Sequence, residues 1–289
     1  MNVGVTTAAA DQMVRRAAVL GSPIEHSLSP VLHTAAYQAL DLHGWHYDKI
    51  ECDEPGLSRL VDSMGPEWAG LSLTMPLKRV ALTVVDEVSP LAEAVGAANT
   101  LVFPAAGPAG GRRADNTDVA GMVSALREAG LTRVEQAVIL GAGGTAQSAL
   151  AAVRELGHQS PIVLVRTLAR TSELRETAER LGIRPTISDE LFTEPLPAAD
   201  LVISTLPGGA ADPLSATRWK PDTVVLDVVY ASWPTVFAGS ALAAGCTVVS
   251  GLSLLLYQAV AQVELMTGRS GPVQAMRTAL VAAVAARQG

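Results

Sequence analysis

Lysine is scarce in this chain: it occurs three times, at Lys49, Lys78 and Lys220, against eighteen arginines. Arginine stays protonated at any working pH, whereas a lysine ammonium can be tuned to give up and regain a proton. Lys78, in LTMPLK and four residues after Thr74, is therefore a candidate proton donor. Its plain structural alternative is an exposed residue in the first turn of a helix. Asp118, in DNTD, supplies a carboxylate, and a Lys–Asp pair would serve proton transfer to a carbonyl oxygen. Ser27 and Ser29 in HSLSP, Thr74, and Asn99 in GAANT add hydroxyl and amide groups. Each also has an ordinary role open to it: Ser29 as a helix N-cap, Asn99 in a turn, Asp118 as the cap of the helix that follows. Together they would line one cleft with groups suited to a polyhydroxylated ligand.

A second constellation is AVILGAGGTA, residues 137–146. It reads as a strand, a glycine-rich loop and the start of a helix. Gly141 permits the tight turn, Gly143 lets the backbone approach a pyrophosphate, and Ala146 is small enough for close helix–strand packing. With Ala142, Gly144 and Thr145 these residues would present free N–H groups to phosphates at a helix N-terminus. The next strand, IVLVR at 162–166, picks the cofactor. Units that bind NAD end this strand with an acid for the ribose hydroxyl, but here the chain reads Arg166-Thr167-Leu168-Ala169-Arg170. Two guanidiniums and a hydroxyl suit a 2′-phosphate, so NADP(H) is the expected cofactor.

The elements that must position these groups alternate along the chain. Strand AAVL at 17–20 precedes a helix with Ser29 as N-cap, Pro30 at its first position and Gly44 past its end. A strand near 46–52, a helix near 56–64 and strands at 69–74 and near 98–103 follow, with a surface turn at 107–111. The pattern restarts with a helix at about 117–130, the strand 137–140, a helix to Leu156, the strand 162–166 and a helix near 172–181. Strands near 200–204, 223–228 and 246–249 complete the second unit, and 252–289 reads as two helices rich in Ala and Leu. This is an α/β chain of two α/β units with a ligand cleft between them.

Composition bounds the partners. The chain has 289 residues, enough for two domains, and a net charge of −7 with no basic run, which argues against nucleic acid. No charged residue occurs from Val228 to Val263, but Pro234, Gly239, Gly245 and Gly251 cut that stretch into pieces of about ten residues, short of the roughly twenty that span a membrane. Cys52 and Cys246 are isolated, so neither a disulfide framework nor a metal site is expected, and a reducing cytoplasm is the default. Residues 1–16 read as a short loose tail. The chain is expected to be a monomer or homodimer, with the first strand as an exposed edge and the final helix as candidate interfaces.

With these residues in place, the chain resembles the shikimate dehydrogenases from about residue 17 to residue 280. GSPIEHSLSPVLH, LTMPLK, GAANTL, DNTD, GAGGTA, VRTLAR, LDVVY and SGLSLLLYQA occur in the family's order. The resemblance implies an oxidoreductase that reversibly reduces 3-dehydroshikimate to shikimate with NADPH, on the way to aromatic amino acids. It implies that Ser27 and Ser29 bind the substrate carboxylate, and that Thr74, Asn99, Tyr230 and Gln258 bind the ring and its hydroxyls. Lys78 and Asp118 match the catalytic pair. Arg166, Thr167, Arg170 and Thr205 fall in cofactor motifs, and Val228 and Gly251 match positions near the nicotinamide. The implied fold has a substrate-binding and catalytic domain over 1–117 and a Rossmann-like NADP-binding domain over 118–250. Helices over 251–289 would return to the first domain.

Three residues depart from the family pattern: Ser72 where Asn is usual, Leu206 where Thr is usual, and Val165 where Asn is common. They bear on substrate scope and cofactor preference and leave Lys78 and Asp118 untouched. Other readings of the same residues are a quinate/shikimate dehydrogenase that accepts NAD, an enzyme acting on an amino-shikimate, and a non-catalytic sensor of shikimate-type acids.

Overall fold

The computed structural model describes residues 14–192 and 195–288. Most of the tail expected over 1–16 lies outside the described residues, and Arg15 and Arg16 already belong to a strand. The first half of the chain runs β1 (Arg15–Gly21), α1 (Ser29–Ala39), β2 (Trp45–Glu51), α2 (Glu54–Asp62), β3 (Trp68–Leu73), β4 (Glu87–Val88), α3 (Pro90–Val95), β5 (Thr100–Val102) and β6 (Arg113–Asp115). Its sheet has the order β2-β1-β3-β5-β6-β4. The β2, β1 and β3 strands are parallel, and β5 runs antiparallel to both β3 and β6. The edge expected at β1 is therefore corrected: β1 lies between β2 and β3, and its last five residues are buried. A run as apolar as AAVL needs both faces covered, which an interior parallel strand provides.

The second half begins with α4 (Thr117–Glu128) and continues through β7 (Ala137–Leu140), α5 (Gly144–Glu155), β8 (Ile162–Leu164), α6 (Ser172–Leu181), β9 (Thr186–Ser188), β10 (Leu201–Ser204), β11 (Val224–Asp227), α7 (Val236–Ala243) and β12 (Thr247–Ser250). Its strands are all parallel, in the order β12-β11-β10-β7-β8-β9. The order reverses between β7 and β10, and ligands bind at such switch points beyond the carboxyl ends of the strands. Every residue of β7, β10 and β11 is buried, as Val, Ile and Leu in a covered parallel sheet should be.

The chain then returns. Helices α8 (Gly251–Thr267) and α9 (Val273–Gln288) pack on α1, where Leu28, Leu32 and Ala36 share one core with Leu256, Ala259, Val263, Met276 and Leu280. Between the halves, α4 lies against α8 so closely that a side chain at Gly121 would meet Gln258 at 2.9 Å. That contact brings the start of α4, with Asp118, beside Gln258. Among the described residues no helix is long and apolar enough to cross a membrane.

Two capping expectations are corrected. Ser29 is the first helical residue of α1, and the N-cap is Leu28, which has no side-chain cap. The hydroxyl that serves the helix start is Ser27's, accepting the N–H of Ser29 at 3.2 Å. The helix ends at Ala39, before Gly44, because Asp41 turns the chain with a φ of 53°. At α4 the cap is Asn116 rather than Asp118, its side-chain oxygen accepting the N–H groups of Asp118 and Val119.

Candidate active site

Lys78 follows β3 on a turn, and Asp118 stands in the first turn of α4. The Lys78 Nζ donates to Asp118 Oδ2 at 2.6 Å, with a quarter of the Lys side chain exposed and Asp118 almost wholly buried. Asp118 is favoured there by the positive end of the α4 dipole. Asn99 holds the other carboxylate oxygen, its Nδ2 donating to Oδ1 at 2.8 Å. The amide cannot flip, because Asn99 Oδ1 accepts the backbone N–H of Thr117 at 2.8 Å. Gln258 is oriented in the same way: its Nε2 donates to the Leu255 carbonyl at 2.9 Å, which turns Oε1 towards Asn99.

These groups open onto one cleft of about 260 Å³, lined also by Ser27, Ser29, Ser72, Thr74, Val228, Tyr230, Gly251 and Gln262. Every substrate-side residue expected from the sequence is therefore in one place, together with Ser72, one of the departures named above, and the structure adds Gln262. Glycine is required at 251, since a Cβ there would overlap the carbonyl of Val228. Burial raises the Tyr230 phenol above its usual range, leaving it a hydrogen-bond donor.

Behind the cleft lies a polar cluster that sequence reasoning missed. His33 is fully buried, donates from Nδ1 to the Ser29 carbonyl at 2.9 Å, and stacks on Tyr47 at 3.9 Å. Burial pushes its imidazole down to about 4. Tyr47 donates to Ser72 Oγ at 2.6 Å, and Ser72 donates to Gln262 Oε1 at 2.7 Å. The available signals were spacings: His33 is four residues after Ser29 and Gln262 four after Gln258, so each shares a helix face with an expected site residue.

A second cavity of about 860 Å³ opens beyond the ends of β7, β8 and β10. Gly141, Ala142, Gly143, Arg166, Thr167, Arg170 and Thr205 line it, while Gly144 and Thr145 begin α5 behind the loop. Val228 and Gly251 lie in the first cleft instead. Gly141 has a φ of 109°, and a Cβ there would strike the Thr205 hydroxyl, which donates to the Leu140 carbonyl at 2.7 Å. At Gly143 and Gly144 a Cβ would meet nothing, so the loop leaves an open cradle. The N-terminus of α5 has no side-chain cap and no acid in its first turn, which leaves its N–H groups to an anion. These features fit a dinucleotide phosphate, and the exposed Arg166, Thr167 and Arg170 fit a 2′-phosphate. Leu206 and Val165, two of the departures, are buried against apolar cores and also line this cavity. Among the described residues no cluster of three His, Cys, Asp or Glu could hold a metal ion.

Known proteins carry the same design. Residues 19–101 match the family model described as the shikimate dehydrogenase substrate binding domain, and residues 251–281 match the shikimate 5′-dehydrogenase C-terminal domain. A shikimate dehydrogenase (NADP(+)) of Desulfitobacterium hafniense is 36% identical, over 94% of this chain and 100% of its own. The crystal structure of Mycobacterium tuberculosis shikimate dehydrogenase superposes with a TM-score of 0.82 at 42% identity, covering 93% of this chain and 99% of that one. A shikimate 5-dehydrogenase of Thermus thermophilus, solved in complex with NADP(H) and shikimate, has a TM-score of 0.78 at 30% identity, covering 93% and 99%.

Proposed function

Since the chain belongs to the shikimate dehydrogenase family, we propose that it catalyses the reversible NADPH-dependent reduction of 3-dehydroshikimate to shikimate, in the cytoplasm, on the pathway to aromatic amino acids. The observation that carries the reading is the Lys78–Asp118 pair, set in a polar cleft whose wall includes Val228 and Gly251. When bound, NADPH supplies the hydride. The chain's own residues deal with the oxygen that gains charge.

Lys78 has three N–H groups, and Asp118 engages one, leaving two to face a substrate oxygen. The ammonium stabilises charge on the keto oxygen and delivers the proton; Asp118, fixed from its other side by Asn99, aims the lysine. Ser27, Ser29, Thr74 and Tyr230 bring hydroxyl donors to the carboxylate and ring. Gly141, Ala142, Gly143 and Thr205 would hold the cofactor's pyrophosphate with the start of α5, and Arg166, Thr167 and Arg170 its 2′-phosphate. In this reading residues 1–117 are the substrate-binding and catalytic unit, 118–250 the NADP-binding unit, and 251–289 the helices that close back on the first.

The preference for NADP rests on the basic strand end of β8. It disfavours the NAD-linked quinate reading, and the intact Lys–Asp pair disfavours a non-catalytic sensor. The test follows formation of reduced nicotinamide by absorbance, with shikimate and either NADP⁺ or NAD⁺. We expect fast reduction of NADP⁺ and slow reduction of NAD⁺. For Lys78→Ala the expectation is turnover roughly 10²–10⁴-fold lower with KM changed far less. Near-normal turnover in that variant would remove the role given to Lys78.

A further inference from the structure

Ser72 lines the cleft, and the structure fixes the direction of every hydrogen bond around it. The starting point is the backbone carbonyl of Asn99, which can only accept. The Gln262 atom 3.1 Å from it is therefore the amide nitrogen, donating. The same nitrogen donates to Thr100 Oγ1 at 3.1 Å, and Thr100 passes its own hydrogen to Asn99 Oδ1 at 2.9 Å. Gln262 Oε1, which can only accept, then faces Ser72 Oγ at 2.7 Å, so the single hydrogen of Ser72 is engaged there. Tyr47, 2.6 Å from the same oxygen, has to be the donor of that pair. Burial holds the Tyr47 phenol well above its usual range, so its proton is always present for this bond.

Ser72 Oγ is left with one lone pair and no hydrogen, and it lines the cleft. Gln258 Oε1, oriented by the bond from its Nε2 to the Leu255 carbonyl, is a second acceptor lining the cleft. We infer that Ser72 is a specificity-determining residue: polarised by Gln262 and Tyr47, it presents the cleft with a lone pair and no hydrogen, so that it selects a ring substituent able to donate a hydrogen bond. A hydroxyl or an amine satisfies it. A fluorine, an ether or a second ketone there sets acceptor against acceptor in a buried site, and sites built this way reject analogues that lack the hydrogen. The inference rests on the proposed shikimate reading of the cleft.

The test measures Kd by calorimetry for shikimate and for analogues in which either of the two ring hydroxyls that are not oxidised is replaced by fluorine or by an amine. For wild type we expect fluorine at one of these positions to weaken binding roughly tenfold or more, and an amine there to stay within a few-fold of the hydroxyl. In Ser72→Ala the ratio of fluoro to hydroxyl binding should fall towards one. Gln262→Met, which keeps the shape of the side chain and frees the Ser72 hydrogen, should lower the ratio as well, and it decides the matter if the alanine variant does not fold. Indifference of wild type to fluorine at both positions, or a ratio unchanged in both variants, overturns the assignment. Turnover of unmodified shikimate is scored separately, so that a failure of the proposed function is told apart from a failure at Ser72.

Discussion

The substrate cleft and the cofactor cavity are finished to different degrees by folding. In the cleft, Asp118 is held on both oxygens, Asn99 is locked by a backbone N–H, and Gln258 and Gln262 are each oriented by a backbone carbonyl. In the cavity, Arg166, Thr167 and Arg170 are exposed, the glycine loop leaves open space, and α5 starts without a side-chain cap. The difference follows from what each must do. Charge that develops in a reaction is best met by donors already in place, since reorienting them would add to the barrier. A dinucleotide brings its own charges, and flexible guanidiniums can close on it at the cost of some ordering on binding. Damage to the cleft should therefore appear in the protein's own stability and turnover, and damage to the cavity in cofactor affinity alone.

The largest effect expected on stability concerns His33, which buttresses the cleft through Tyr47. Its folded pKa is depressed from 6.5 to about 4 by burial. Between these values the unfolded chain binds a proton that the folded chain does not, so stability rises with pH across this window. It is fully present above pH 6.5 and is lost as the pH falls towards about 4, by about 3 kcal/mol. Thermal unfolding of wild type and of His33→Asn, followed over that range, should give a steeper loss for wild type. Parallel curves would mean that His33 does not carry the effect.

Much of this division was legible in the sequence. The strand 137–140 and the helix 172–181 have the boundaries read from periodicity and from flanking glycine and serine, because their patterns are strong and their ends are marked. Lys78 and Asp118 stood out in the sequence because few residue types can exchange a proton, and the structure sets them 2.6 Å apart. The β4, β6 and β9 strands were not, since pieces of two or three residues carry no period and exist only by pairing with neighbours. Nor was the role of Ser72, whose partners lie 25 residues before it and 190 after it. Separation of that kind is decided by the packing of α8 on the first sheet, which no local pattern announces. The misplaced edge at β1 has the same origin: sequence shows that a strand is apolar, and topology decides which neighbours cover it.

The next effect belongs to the cavity. Arg166→Ala removes an exposed guanidinium from the end of β8, and a charge-assisted contact of this sort is worth about 1.5–3 kcal/mol. KM for NADPH should rise roughly tenfold to a hundredfold, with KM for NADH and the unfolding temperature nearly unchanged. An equal loss with both cofactors would show that Arg166 supports the loop rather than reading the 2′-phosphate.

The smallest effect is expected where the two regions touch. Arg79, the residue after Lys78, forms an ion pair with Glu173 on α6, and Glu173 lines the cofactor cavity. Both side chains are largely in water, with 60% and 44% of their surfaces exposed, so the pair contributes at most about 1 kcal/mol to holding the halves together. Glu173 also places a carboxylate in a cavity built for a polyanion, and Arg79 offsets that charge only while the pair is made. Glu173→Gln removes the repulsion and frees the guanidinium beside the cofactor. Stability should change little, and NADP⁺ should bind roughly two- to fivefold tighter at low salt, with the gain shrinking as ionic strength rises because the charges are exposed. Weaker binding would mean that the Arg79–Glu173 contact positions the cavity wall, and the contrast between a finished cleft and an unfinished cavity would then have to be drawn less sharply at this rim.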